Sequence, residues 1–142
     1  MAESNTACDW KYDQQIPSEP NVCANIVGIL LDQLDRTKWN NKDTFGIHMA
    51  MEEAVMNAIH HGNNCSPEKY VHIVIDICKE KFYAKITDQG AGFDPEQIPD
   101  PTAEENLEKT SGRGVMLMKS FVDEVIYNPK GNSVELRKSK TA

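Results

Sequence analysis

The sequence predicts an α+β two-layer sandwich, a mixed, mainly antiparallel sheet covered on one face by helices. Three observations carry this reading. Tyr70 to Cys78 and Phe82 to Thr87 alternate in polarity on either side of a tight charged turn, Lys79-Glu80-Lys81, as a half-buried hairpin does. Two stretches, Val22–Leu34 and Ile47–Ala58, repeat apolar residues at the helical period. Two further runs, Asp123–Tyr127 and Ser133–Arg137, flank the turn Asn128-Pro129-Lys130-Gly131-Asn132 and read as closing strands. With 142 residues, the chain has room for one domain with a real core, spanning 1–142.

In chain order, residues 1–8 are polar and expected to be loose. Trp10, Tyr12, Gln14 and Ile16 alternate with polar neighbours as an edge strand would, and Pro17 ends it. Ser18-Glu19-Pro20-Asn21 is a helix start with Ser18 as the candidate N-cap. That helix runs through Val22, Ile26, Ile29, Leu30 and Leu34 to about Asp35, before a polar turn around Trp39. The central helix is expected from Asp43 to His61, its buried face drawn by Ile47, Met51, Ala54 and Ala58, with Gly62 as a left-handed stop. Residues 63–68 are a loop by composition. In the strand that follows, Val71, Ile73, Ile75 and Ile77 form an entirely β-branched face. A proline- and acid-rich segment, 95–111, has no periodicity and suits a ligand-covering lid or a plain surface loop. The tail 138–142 is polar and expected to fray.

Bulk properties exclude several functions. Net charge is −7, and the isoelectric point is about 5.0. Direct nucleic-acid binding, which needs a basic surface, is not expected. No run approaches the roughly 20 apolar residues of a membrane span, and the first residues lack a signal peptide's basic start and apolar core. Cys8, Cys23, Cys65 and Cys78 are scattered without a C-x-x-C pair, so no disulfide framework is expected and a reducing cytoplasm is. Cys65 with His61 would be half a zinc site, and no second pair completes it.

Three segments carry chemistry. On the central helix Glu53, Asn57 and His61 recur every four residues, just over one turn, so carboxylate, amide and imidazole share a face. Taken alone, such a row is common on solvated helices. Asp88-Gln89-Gly90-Ala91-Gly92-Phe93-Asp94 leaves a strand with an acid able to accept from a ligand amine and glycines that permit close backbone approach; a plain Asp-Gly turn looks the same. An EF-hand is ruled out because the later acids miss the ligand positions. Ser111-Gly112-Arg113-Gly114-Val115 opens a helix, offering N–H groups, the positive dipole end and a guanidinium to phosphates. It matches neither a P-loop nor a dinucleotide fingerprint.

Together, E-A-V-M-N-A-I-H-H-G, D-Q-G-A-G-F and S-G-R-G-V-M-L-M, in that order and spacing, resemble the N, G1 and G2 boxes of the GHKL (Bergerat-fold, histidine-kinase-like) ATPases. Within that superfamily the chain is most similar to the small bacterial anti-sigma-factor serine/threonine kinases of the RsbW and SpoIIAB type, over about residues 10–138. I-P-D-P-T-A-E-E-N-L and G-V-M-L-M-K-S-F-V-D-E-V share that likeness.

The resemblance implies an ATP- and Mg²⁺-dependent kinase. Glu53 would be the general base, although the neighbouring Glu52 is the base if the alignment slips by one residue. Asn57 would coordinate Mg²⁺, and Asp88 would take the adenine amine. Gly90, Gly92 and Phe93 would lie along the base. Ser111, Gly112, Arg113, Gly114 and Val115 would hold the phosphates, with His61 supporting that region and 95–111 as lid. Ser133 falls loosely where the superfamily places a hydroxyl near adenine. The implied partners are a STAS-domain anti-anti-sigma protein, a sigma factor and a second copy of the chain as a homodimer. The alternative is an ATP-gated binding module without phosphotransfer.

Overall fold

The computed structural model describes residues 8–90 and 110–141. Strand β1 (Cys8–Pro17) leads into helix α1 (Pro20–Arg36) and helix α2 (Asn41–Asn57), which continues as a π turn (Ala58–Gly62). Strands β2 (Tyr70–Cys78) and β3 (Lys81–Thr87) follow, then helix α3 (Thr110–Phe121) and strands β4 (Glu124–Tyr127) and β5 (Ser133–Ser139). The sheet order is β1-β2-β3-β5-β4, and among the described residues every pairing is antiparallel. The α+β architecture expected from the sequence is the one observed.

The periodicities explain the layers. Val71, Ile73, Ile75 and Ile77 of β2 are fully buried, and register places them against Ile16 and Tyr12 of β1 and Ala84 and Phe82 of β3. This single apolar face of the sheet is covered by α1 through Cys23, Ile26, Leu30 and Leu34, by α2 through Ile47, Met51 and Ala54, and by Ala58 of the π turn. Helix α2 contacts both α1 and α3, and α3 contributes Val115 and Met118. The central helix is thus fixed by core packing on one side, and its Glu53–Asn57–His61 row falls on the other.

Several local expectations change. The N-cap of α1 is Glu19, without a side-chain bond, and Pro20 occupies the first turn. Ser18 is buried instead, its hydroxyl donating to the Lys69 carbonyl (2.7 Å). Helix α2 starts at Asn41 because Asn40 caps it, accepting from the Asp43 N–H at 2.7 Å. Its last turn widens to a π turn, with Asn63 N–H donating to Ala58 O (2.9 Å), five residues back. Gly62 is therefore not a left-handed stop. The positive φ angles fall at Asn64 (53°) and Cys65 (55°), where the loop turns away.

Two corrections concern the ends. Cys8 and Cys78 form a disulfide, because the antiparallel register of β1 on β2 sets them opposite each other; their separation of 70 residues hides the pairing from spacing rules. Cys23 and Cys65 are free thiols. The tail expected to fray is tied down: Thr141 donates through its N–H and hydroxyl to the buried Asp43 carboxylate, which also lies 3.4 Å from Lys138 Nζ. Burial alone would raise the Asp43 pKa, but the Thr141 hydrogen bonds and the Lys138 charge outweigh it and hold it below the usual range. Residues 1–7, most of the expected lid, Gly92 and Phe93 lie outside the described residues.

Candidate nucleotide site

Four elements converge on one cavity of about 150 Å³, lined among others by Asn57, His61, Asp88, Tyr127, Asn132 and Ser133. Helix α2 supplies Asn57, and the π turn supplies His61. The end of β3 supplies Asp88, and the β4–β5 hairpin supplies the rest. Most of these residues are distant in sequence, so the sheet register, not any local motif, assembles the pocket.

Asp88 sits where backbones crowd. A Cβ on Gly62 would lie 2.2 Å from the Asp88 carboxyl carbon, and one on Gly90 would lie 2.0 Å from the Gly62 carbonyl oxygen. These two glycines are required by space. Asp88 Oδ1 accepts from Gly90 N–H (2.8 Å), and its backbone pairs with Asn132 in both directions, N–H to carbonyl and Nδ2 to carbonyl. Burial pushes its carboxyl pKa up; the Gly90 N–H and the charges of Lys130 and Lys69 pull the other way without cancelling it. The result is a partly desolvated acceptor held at a fixed angle, suited to a neutral donor such as an amine N–H.

The hairpin is shaped by Asn128. Its Oδ1 accepts from the N–H groups of Gly131, Asn132 and Ser133 at 2.8 to 3.2 Å, and Gly131 takes a positive φ of 80°. This turn delivers Ser133 Oγ to within 2.8 Å of Thr87 Oγ1, one residue before Asp88. Tyr127 lines the same cavity. Burial raises its phenol pKa above the ordinary range, reinforced by the charges of Glu53 and Asp88, so it is a neutral hydroxyl at physiological pH.

At the other end, α3 presses on the α2 row. A Cβ on Gly114 would fall 2.2 Å from Glu53 Oε2 and 2.9 Å from Asn57 Nδ2. The glycine therefore lets the backbone of α3 approach the carboxylate and the amide closely. Asn57, His61 and Asp88 line the cavity, Glu53 and Gly114 meet beside Asn57, and Gly90 packs on the Gly62 carbonyl. By backbone, Ser111, Gly112 and Arg113 occupy the first turns of α3, and Val115 lies in the core. Among the described residues no three His, Cys, Asp or Glu side chains cluster as a metal cage. The donor set fits a hard divalent cation bound through one amide oxygen, with the remaining ligands being phosphate oxygens and water. The Cys65 sulfur lies 3.1 Å from Nδ1 of His60.

Sequence reading gave no role to Tyr127, Asn132 or the fully buried Asn63. The only signal was the Asn- and Gly-rich composition of both turns, which marks any turn.

Residues 16–138 match the model of the histidine kinase-like ATPase domain family. An anti-sigma F factor from Clostridium perfringens (strain SM101) is 33% identical over 114 residues, 78% of this chain and 79% of its own length. One from Halalkalibacterium halodurans is 36% identical over 121 residues, 81% and 80% of the two chains. Among solved structures, the RsbU and RsbW domains of a Mycobacterium tuberculosis protein superpose with a TM-score of 0.59 at 15% identity. That likeness, covering 92% of this chain and 32% of the other, concerns the fold.

Proposed function

Because the chain belongs to the histidine kinase-like ATPase domain family and has anti-sigma F factors among its relatives, we propose that it is an ATP-binding anti-sigma regulator with serine/threonine kinase activity. Its substrate in this reading is a STAS-domain anti-anti-sigma protein. While that substrate is unavailable, a homodimer of the chain sequesters a sigma factor in the cytoplasm. Among the described residues no helix is long and apolar enough to cross a membrane.

The supporting observation is the two-ended site. Asp88 offers a half-buried acceptor at one end, and Gly114 brings α3 against Glu53 and Asn57 at the other. Bound ATP with Mg²⁺ supplies the phosphoryl group and neutralises its charge. Asp88 accepts the hydrogen bond of the base's amine, and Thr87 and Ser133 present hydroxyls beside it. Asn57 gives its amide oxygen to the cation. The N–H groups of α3 hold the phosphates, Arg113 adds its charge, and His61 supports the same region. Glu53 accepts the proton of the incoming serine or threonine hydroxyl and so orients it; Glu52 is exposed and one residue off the row. Phosphoryl transfer depends on such positioning and charge neutralisation more than on covalent chemistry.

The test is transfer of γ-labelled phosphate to STAS-domain proteins of the same genome, with Glu53→Ala in parallel. The kinase reading expects label on one of them and its loss in the variant, with ATP binding retained. ATP binding without transfer to any candidate would instead establish a nucleotide-gated binding module.

A further inference from the structure

Asn63 lies outside every motif, yet it is fully buried and satisfied on all sides. Its Nδ2 donates to Ser18 Oγ (2.9 Å) and to the Tyr70 carbonyl (3.0 Å). Its Oδ1 accepts from the backbone N–H of Gln89 (2.8 Å). One amide thus joins the β1–α1 junction, the start of β2 and the exit of β3. Gln89 closes the ring, its side-chain oxygen accepting from the Tyr70 N–H. Ser18, 2% exposed, passes the connection on to the Lys69 carbonyl.

We propose that Asn63 is a positioning residue for base recognition: by holding the Gln89 peptide it sets the angle at which Asp88 meets the exocyclic amine of a purine. The inference rests on the proposed nucleotide reading of the cavity. Three constraints fix the Asp88 carboxylate. Gly90 N–H binds Oδ1, Asn132 brackets the backbone on the β5 side, and Asn63 clamps the next peptide on the α2 side. Gly90 follows Gln89, so a Gln89 peptide free to rotate carries the Gly90 N–H, and Oδ1 with it, out of place. The carboxylate so held lines the cavity. A side chain without a buried acceptor at 63 would leave the Gln89 N–H unpaired, and the strand exit would move to satisfy it.

The test compares, by calorimetry with Mg²⁺ present, the affinity for ADP with that for purine riboside diphosphate, which lacks only the amine. A hydrogen bond to a charged acceptor corresponds to about tenfold to hundredfold preference for ADP in the unmodified protein. Asn63→Ala is expected to shrink that ratio to within about threefold while binding through the phosphates persists, as misaligned partners lose most of such a bond. Ser18→Ala, which removes the acceptor of one Asn63 Nδ2 hydrogen bond and the donor to the Lys69 carbonyl but leaves the Gln89 bond, is expected to keep the ratio. A purely structural role would lower melting temperature and both affinities alike, leaving the ratio untouched; that result overturns the inference. Where Asn63→Ala does not fold, Asn63→Ser shortens the reach to Gln89 while keeping a polar atom, and carries the same comparison. An unmodified protein that binds both nucleotides equally removes the base-recognition reading itself, and the inference with it.

Discussion

Replacing Gly114 by alanine should separate stability from catalysis. The new Cβ would lie 2.2 Å from Glu53 Oε2, whereas ordinary contact begins at 3.4 Å, so the carboxylate must retreat by about 1.2 Å. The obstacle is the far end of a flexible side chain, not backbone, so the helix itself need not move. Alanine in place of a helical glycine stabilises by about 0.5–1 kcal/mol. A Glu53 side chain pushed off its rotamer costs about the same, of order 0.5–1.5 kcal/mol. The two nearly offset, which for a chain of this size means a melting temperature within about 4 °C of the parent. Misplacing a catalytic group by about 1 Å costs on the order of 10²-fold in rate. The assay pairs thermal unfolding with phosphotransfer from labelled ATP. A folded Gly114→Ala protein with undiminished transfer would refute the idea that Glu53 acts from beneath α3. Gly90→Ala is the internal contrast. There the Cβ meets the Gly62 carbonyl at 2.0 Å, backbone against backbone, so folding stability should fall along with nucleotide binding.

Acidification should weaken nucleotide binding earlier than an ordinary aspartate would. The raised Asp88 pKa means its carboxylate is lost as pH falls through that raised value, and Asp88→Asn should flatten the dependence when ADP affinity is titrated. The sign for folding is opposite: the raised pKa favours the folded state below the ordinary aspartate range, and that contribution fades as pH rises. Asp43 behaves the other way. Its lowered pKa contributes stability above the ordinary range that disappears as pH falls through the lowered value, and Asp43→Ala, which removes the acceptor of the Thr141 hydrogen bonds and leaves Lys138 only Asp123, should cost about 2–4 kcal/mol in denaturant unfolding. Reduction of the Cys8–Cys78 disulfide opens a 70-residue loop and should lower stability by up to about 4 kcal/mol. Equal melting temperatures with and without reductant, and four alkylatable thiols in the unfolded, unreduced chain instead of the two of Cys23 and Cys65, would contradict the pairing.

The fold was legible wherever one face of an element is buried and the other is not. β2 announces itself through Val71, Ile73, Ile75 and Ile77, and α2 through Ile47, Met51, Ala54 and Ala58, because burial on one side imposes the element's period on the sequence. The Glu53–Asn57–His61 row was legible for the same reason, as it is what the buried face leaves exposed. Ser18 was misread because an N-cap signal is local, and its hydroxyl is spent on a partner 51 residues away. Gly62 was misread because a glycine after a helix usually serves a left-handed turn; here it makes room for Asp88.

By itself the sequence determined the element order, the apolar faces and the three ordered motifs, since these are set by periodicity and spacing along the chain. Only the tertiary structure decided which distant groups meet. It placed Asn63 against Gln89, Cys8 against Cys78, Thr141 against Asp43 and Tyr127 beside Asp88. Strand register and helix packing choose those partners, and a hydrogen bond between residues far apart in sequence leaves no period behind for a reader to find.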